Sequence, residues 1–197
     1  MEFDITFCKT NNSECRIDYG VVFGNEKIFF IKSGKGGTHR GEDDKYIKMA
    51  HRLHAKWGCT VICSSNPVDC PASYDSDKEV ICEYVKEKGF DSFELDLIGS
   101  SNGAYQILFL ANQLQNTRKI MCINMPLMLN YHKALDALSM METVEKIFVY
   151  GTRDPSYSYV PFLETKKLPL LNVIRVDGAD HVFKNRLDDF IALADLI

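Results

Sequence analysis

"LDLIGSSNGAYQILFLAN", residues 95–112, changes character at its middle. It starts as a strand-like apolar run, crosses Gly-Ser-Ser-Asn-Gly, and leaves as an apolar run with helical spacing. Two glycines and two serines at such a hinge have two readings. One is a plain turn, and the other is a serine held out for chemistry.

The flanking sequence repeats the same alternation from about residue 27 onward. "KIFFIKS" is a short Phe- and Ile-rich run stopped by glycines. "DKYIKMAHRLHAKWG" then puts Tyr46, Ile47, Ala50, Leu53 and Trp57 on one helical face, with Gly58 as a C-cap. "TVICSS" is a second buried strand with turn chemistry after it in "NPVDCP", and "DSDKEVICEYVKEKG" is an amphipathic helix ending at Gly89. Further along, "FELDLIG", "KIMCINMP", "EKIFVYG" and "LLNVIRVDG" read as strands. "SNGAYQILFLANQLQ", "YHKALDALSMME" and the closing "HVFKNRLDDFIALADLI" read as helices. Buried strands alternating with helices imply an α/β fold: a mostly parallel sheet of about eight strands with helices on both faces. The first 24 residues lack a helix and read as an antiparallel hairpin at one edge. No repeat or linker interrupts the 197 residues, so one domain is expected over 1–197.

Composition narrows the function. A chain that is 46% hydrophobic and 25% charged is an ordinary globular one. Its net charge of -4 gives no electrostatic footprint for nucleic acid, and the cations between Lys32 and Arg40 read as a local loop feature. No apolar run reaches the roughly 20 residues that a membrane span needs. The start "MEFDITFCKT" does not resemble a signal peptide, which points to the cytoplasm. The seven cysteines, odd in number and scattered through apolar runs, read as small buried hydrophobes in a reducing compartment. With no CxxC pair, no metal is expected, and "GKGGTHRG" lacks the ending of a phosphate loop, so no cofactor is implied.

In a parallel sheet, active groups collect beyond the carboxyl ends of the strands. Ser33-Gly34-Lys35 follows "KIFFIK", and Gly99-Ser100-Ser101-Asn102-Gly103 follows "FELDLI". Gly151-Thr152-Arg153-Asp154 follows "KIFVY", and Asp177-Gly178-Ala179-Asp180-His181 follows "NVIRV". A serine, an acid and a histidine therefore emerge in that order. The hinge fits G-x-S-x-G with Ser101 at its centre, a strained turn that presents the hydroxyl at the head of a helix. There the Asn102 amide and the helix dipole favour developing negative charge. His181, expected to open the last helix, is the candidate base, and Asp154 the group that orients it. A second amide is expected from the Gly34–Lys35 region.

These residues resemble the α/β-hydrolase superfamily, in particular a small, lid-poor serine hydrolase. The resemblance covers residues 27–197 and rests on G-S-S-N-G at 99–103, G-T-R-D at 151–154 and G-A-D-H-V-F at 178–183. It implies Ser101 as nucleophile, His181 as base and Asp154 as acid. Asn102 and Lys35 or Gly34 would supply the oxyanion-hole amides. Ser33-Gly34 stands where many members have His-Gly, and only a short lid-like segment at about 127–143 fills the place of a large lid. The implied activity is carboxylesterase- or thioesterase-like, on a small-molecule acyl substrate. An acyltransferase or peptide-processing enzyme with the same triad, or a non-catalytic binding module, are the alternatives.

Blander readings stand beside these. Ser100 is the rival serine, Asp177 and Asp180 the rival acids, and Asp154 precedes Pro155 in what could be a simple turn. His51 and His54 read as surface histidines, His39 as a residue near the substrate mouth. Met125, Leu127, Met128, Leu129, Met140 and Met141 read as core filling or as an adaptable wall for an acyl chain.

Overall fold

The apolar runs pair side by side in a computed structural model that describes residues 1–11, 15–70 and 73–197. The strands are β1 (Ile5–Asn11), β2 (Cys15–Val22), β3 (Asn25–Lys32), β4 (Cys59–Ser64), β5 (Glu94–Ser100), β6 (Thr117–Ile123), β7 (Glu145–Gly151) and β8 (Leu171–Val176). They form one sheet in the order β1-β2-β4-β3-β5-β6-β7-β8. Every pairing from β4 to β8 is parallel, while β1 pairs antiparallel with β2, and β2 with β4. The central strands are buried along almost their whole length, as parallel strands covered on both faces must be. β8, at one edge, is only partly buried.

Among the described residues, six helices cover this sheet: α1 (Lys45–Trp57), α2 (Ser73–Lys88), α3 (Asn102–Ala111), α4 (Leu127–Ser139), α5 (Val160–Glu164) and α6 (Leu187–Ala192). The chain steps from β3 outward to β4, then back across β3 to β5. Right-handed crossovers in opposite directions require helices on opposite faces. Accordingly Ile47, Ala50 and Leu53 of α1 share a core with Phe190 of α6, and Val80, Leu108 and Ala134 of α2, α3 and α4 share the other. The reversal at β3 opens a crevice between the ends of β3 and β5, where ligands of such sheets bind. Gly58 caps α1 in the left-handed conformation at φ 62°, as expected.

Four expectations need correction. The closing segment is not one helix: Asp180 Oδ1 accepts the Val182 and Lys184 amides, and Phe183 and Asn185 have φ of 60° and 57°. That turn competes with helix, so α6 starts only at Leu187 and His181 lies in a loop. The helix after β5 ends at Ala111, short of Gln115. The cysteines are not all unpaired, because β2 runs antiparallel beside β4 and carries Cys15 past its end, where it forms a disulfide with Cys70. This removes the cysteine argument for a reducing compartment, although Cys59, Cys63 and Cys122 are buried free thiols. Finally, Lys32 is no loop cation but a fully buried residue at the end of β3, 2.8 Å from Asp77. Residues 12–14, within the expected N-terminal hairpin, and Pro71 of "NPVDCP" lie outside the described residues. No described helix is long and apolar enough to cross a membrane.

Candidate active site

At the head of β5 the chain turns through Ser101, held at φ 53° and ψ -123°. An L-residue there is strained by about 1–3 kcal/mol, so neighbouring contacts must enforce it. The Ser101 amide donates to Ile123 O at 2.8 Å, and its carbonyl accepts the Ala104 amide at 3.0 Å. The glycines on either side allow the close approach this requires. A Cβ on Gly99 would lie 2.5 Å from Gly103 O, and one on Gly103 would collide with the carbonyls of Lys32 and Ser33. Ser100 by contrast is buried on the strand, its hydroxyl against the Tyr46 phenol.

Asp154 lies just beyond β7 and is buried. Its Oδ1 accepts the Ser156 amide at 2.6 Å, capping the short 3₁₀ turn Pro155–Tyr159. The Asp-Pro turn therefore uses one oxygen of the carboxylate and leaves Oδ2 for His181 Nδ1 at 2.5 Å. Across the ring, Nε2 is 2.8 Å from Ser101 Oγ. An ionised carboxylate only accepts, so Nδ1 carries the proton and Nε2 offers its lone pair to the serine hydroxyl. Of the rival acids, Asp177 accepts the Thr152 hydroxyl. Asp180 accepts backbone amides, led by that of Lys184, which hold its carboxyl below the usual range.

The ends of β3 and β4 form the opposite wall. Gly36 N–H is taken by Asn66 O at 2.7 Å and Gly37 N–H by Gly34 O at 2.8 Å. Burial raises the Tyr46 phenol to about 12, and the Ser100 hydroxyl and Gly34 amide oppose this as donors. Among the described residues neither the Gly34 nor the Lys35 amide donates a hydrogen bond to another backbone group. Asn102 begins α3, and its amide is one of the donors a helix start leaves without an intrahelical acceptor.

Two asparagines that the sequence did not single out hold this arrangement. Asn66 Nδ2 donates to Ser33 O and Asn102 Oδ1, both at 3.1 Å, and its backbone N–H donates to Gly37 O at 2.9 Å. Asn124, beyond β6 at φ 47°, donates from Nδ2 to Asp180 O at 3.0 Å and His181 O at 2.9 Å, while Oδ1 accepts Gly151 N–H. The only signal available was a polar residue closing a buried strand, in "TVICSSN" and "IMCIN".

Ser101 and His181 open into a cleft of about 340 Å³ that Gly34, Lys35, Gly36, Gly37, Lys45 and Tyr46 also line. His39 does not line it and sits against Phe3. His51 and His54 bond the carbonyls of Glu2 and Cys59. The methionine-rich segment divides: Met125, Leu127 and Met141 are core, whereas Met128, Leu129 and Met140 are exposed. Met128 and Leu129 line a separate 620 Å³ hollow with Tyr131, Tyr159 and Phe162, none of which lines the Ser101 cleft.

No protein-family model matches the chain, and no curated protein matches it. Solved structures do. An α/β serine hydrolase homologue from Coxiella burnetii superposes with a TM-score of 0.72 at 16% identity, covering 98% of this chain and 97% of that one. The esterase domain of a Rhodothermus marinus protein gives 0.71 at 13% identity, covering 98% and 95%. A lidless α/β serine hydrolase from Xanthomonas campestris gives 0.66 at 17% identity, covering 98% and 93%. The chain has the α/β-hydrolase fold.

Proposed function

We propose that the chain is a serine hydrolase that cleaves a carboxylic ester, thioester or related acyl bond. The observation that carries this reading is the unbroken Ser101–His181–Asp154 hydrogen-bond chain at the mouth of a cleft. The esterases and serine hydrolases among the structural neighbours support it at the level of fold.

The steps follow from the geometry. Ser101 Oγ attacks the acyl carbonyl as its proton passes to His181 Nε2, and Asp154 stabilises the imidazolium through Nδ1. The carbonyl electrons move to oxygen, and the Asn102 and Lys35 amides receive the oxyanion. Gly34 stays the alternative to Lys35 as the second donor, since among the described residues neither amide is taken by another backbone group. When the tetrahedral species collapses, the alcohol or thiol leaves with the proton from Nε2. Water, deprotonated by the same nitrogen, then attacks the acyl-serine and releases the acid, restoring the Ser101 hydroxyl.

Intact mass after treatment with a fluorophosphonate tests this, since an activated serine Oγ bonds to phosphorus as fluoride leaves that phosphorus. One adduct is expected on wild type and on Ser100→Ala, and none on Ser101→Ala. An unlabelled wild type would remove the reading. Asn66 offers a second check, because its amide links the loop bearing Lys35 to Asn102. Asn66→Ala is expected to lower kcat by roughly 10- to 100-fold with KM little changed, as displaced transition-state donors would do. Steady-state kinetics reporting a rise in KM alone would count against that role.

A further inference from the structure

Lys45 stands at the first position of α1 and lines the cleft together with Ser101 and His181. It also lines an adjoining hollow of about 160 Å³ with Phe183, Lys184 and Phe190. Among the described residues its ammonium makes no hydrogen bond and no ion pair; it lies 4.8 Å from the Phe190 ring centroid and 5.4 Å from that of Tyr46. Burial lowers its pKa, so the group has lost part of its hydration without gaining a counter-ion. The two rings attract the ammonium, but a cation at a helix start opposes the helix dipole, and no carboxylate among the described residues neutralises it. Lys27 and Lys32, by comparison, are paired with Asp96 and Asp77.

The surrounding charges are few. Glu42 lines both hollows and Asp43 the smaller one; both are exposed and neither pairs with Lys45, whereas Asp44 is taken by Arg40. Lys35 and Lys184 add exposed positive charge at the rims of the two hollows. A carboxylate entering the cleft would replace water at the half-buried ammonium and gain a charge-assisted hydrogen bond. Opposition from Glu42 acts through solvent and is screened there.

We propose that Lys45 makes the Ser101 cleft selective for small esters that carry a second, anionic group, a carboxylate on a short acyl or alcohol chain. This rests on the serine-hydrolase reading above, and deepens it. The test compares mono-4-nitrophenyl succinate with neutral 4-nitrophenyl butyrate on wild type, Lys45→Met and Lys45→Arg. Wild type favours the anionic ester. The anionic-to-neutral ratio of kcat/KM falls about tenfold in Lys45→Met, mainly through KM, and recovers most of the loss in Lys45→Arg. The wild-type preference also shrinks as salt is raised.

A ratio that Lys45→Met changes by less than about twofold overturns the proposal, as does an arginine variant that behaves like methionine. Failure of the catalytic reading looks different: no ester is cleaved and no fluorophosphonate adduct forms. For that case, succinamate and butanamide, neither of them an ester, are titrated by NMR into wild type and Lys45→Met. Tighter binding of succinamate to wild type alone supports the anionic site, and equal affinities overturn it.

Discussion

Asp154→Asn is expected to lower kcat by about 10⁴-fold while leaving the fold intact. The asparagine carbonyl can still accept the Ser156 amide, so the turn after β7 keeps its cap. Its amide nitrogen, however, would face His181 Nδ1 as a donor. The ring would then have to accept at Nδ1 and carry its proton on Nε2, where it meets Ser101 Oγ. A protonated Nε2 cannot take the serine proton, so the nucleophile remains a neutral hydroxyl. His181→Ala removes the base outright and is expected to cost roughly 10⁴- to 10⁶-fold, and adding Ser101→Ala to it almost nothing more, because the groups act as a unit. Steady-state kinetics on the three variants, with thermal melts as the control for folding, measures this. If Asp154→Asn kept more than about a tenth of the wild-type kcat, the orienting acid would have to be sought elsewhere, with Asp180 and Asp177 as the nearest candidates.

What could be read from the sequence was what is encoded locally. A strand buried on both faces has to be a continuous apolar run, and a tight hinge between strand and helix needs Gly99, whose Cβ would meet the hinge's own backbone, while Gly103 answers to the neighbouring β3. Strand ends could therefore be located, and with them Ser101, Asp154 and His181. The remaining features depend on contacts between distant segments. Asn66 and Asn124 are unremarkable polar residues until β3, β5, β7 and the His181 loop converge on them. Cys15 and Cys70 are separated by 55 residues, and only the β2–β4 pairing brings them together. Lys45 shares the helical pattern of α1, and nothing in that pattern says which end of the helix opens into a cleft. The closing segment misled for a related reason. "DDFIALADLI" has helical spacing, but residues 181–186 before it follow the Asp180 turn and bury Phe183 against Phe190.

The largest loss of stability is expected where this hidden polar structure is densest. Lys32 and Asp77 are both fully buried, 2.8 Å apart. Lys32 Nζ also donates to Ser64 Oγ at 3.0 Å and Ser65 O at 2.8 Å. Asp77 Oδ1 accepts Tyr19 OH at 3.0 Å and Ser64 Oγ at 2.7 Å. The cluster thus ties β2, β3, β4 and α2 together beneath the loop that carries Gly34 and Lys35. Removing one charge strands the other away from water, so Lys32→Met and Asp77→Leu are each expected to destabilise the fold by about 3–5 kcal/mol. For a chain of this size that lowers Tm by roughly 10 °C. The double variant buries no unpaired charge. It still takes the acceptor from the Tyr19 hydroxyl and one of two donors from the Ser65 carbonyl, which keeps the Ser64 hydroxyl, so its loss is expected to be about 1–3 kcal/mol, far below the sum of the singles. Urea unfolding of the four proteins gives the cycle directly. Singles within about 1 kcal/mol of wild type, or losses that simply add, would mean that the pair is not ionised in the folded protein. The anchor of the cleft wall would then be the hydroxyl and carbonyl hydrogen bonds alone.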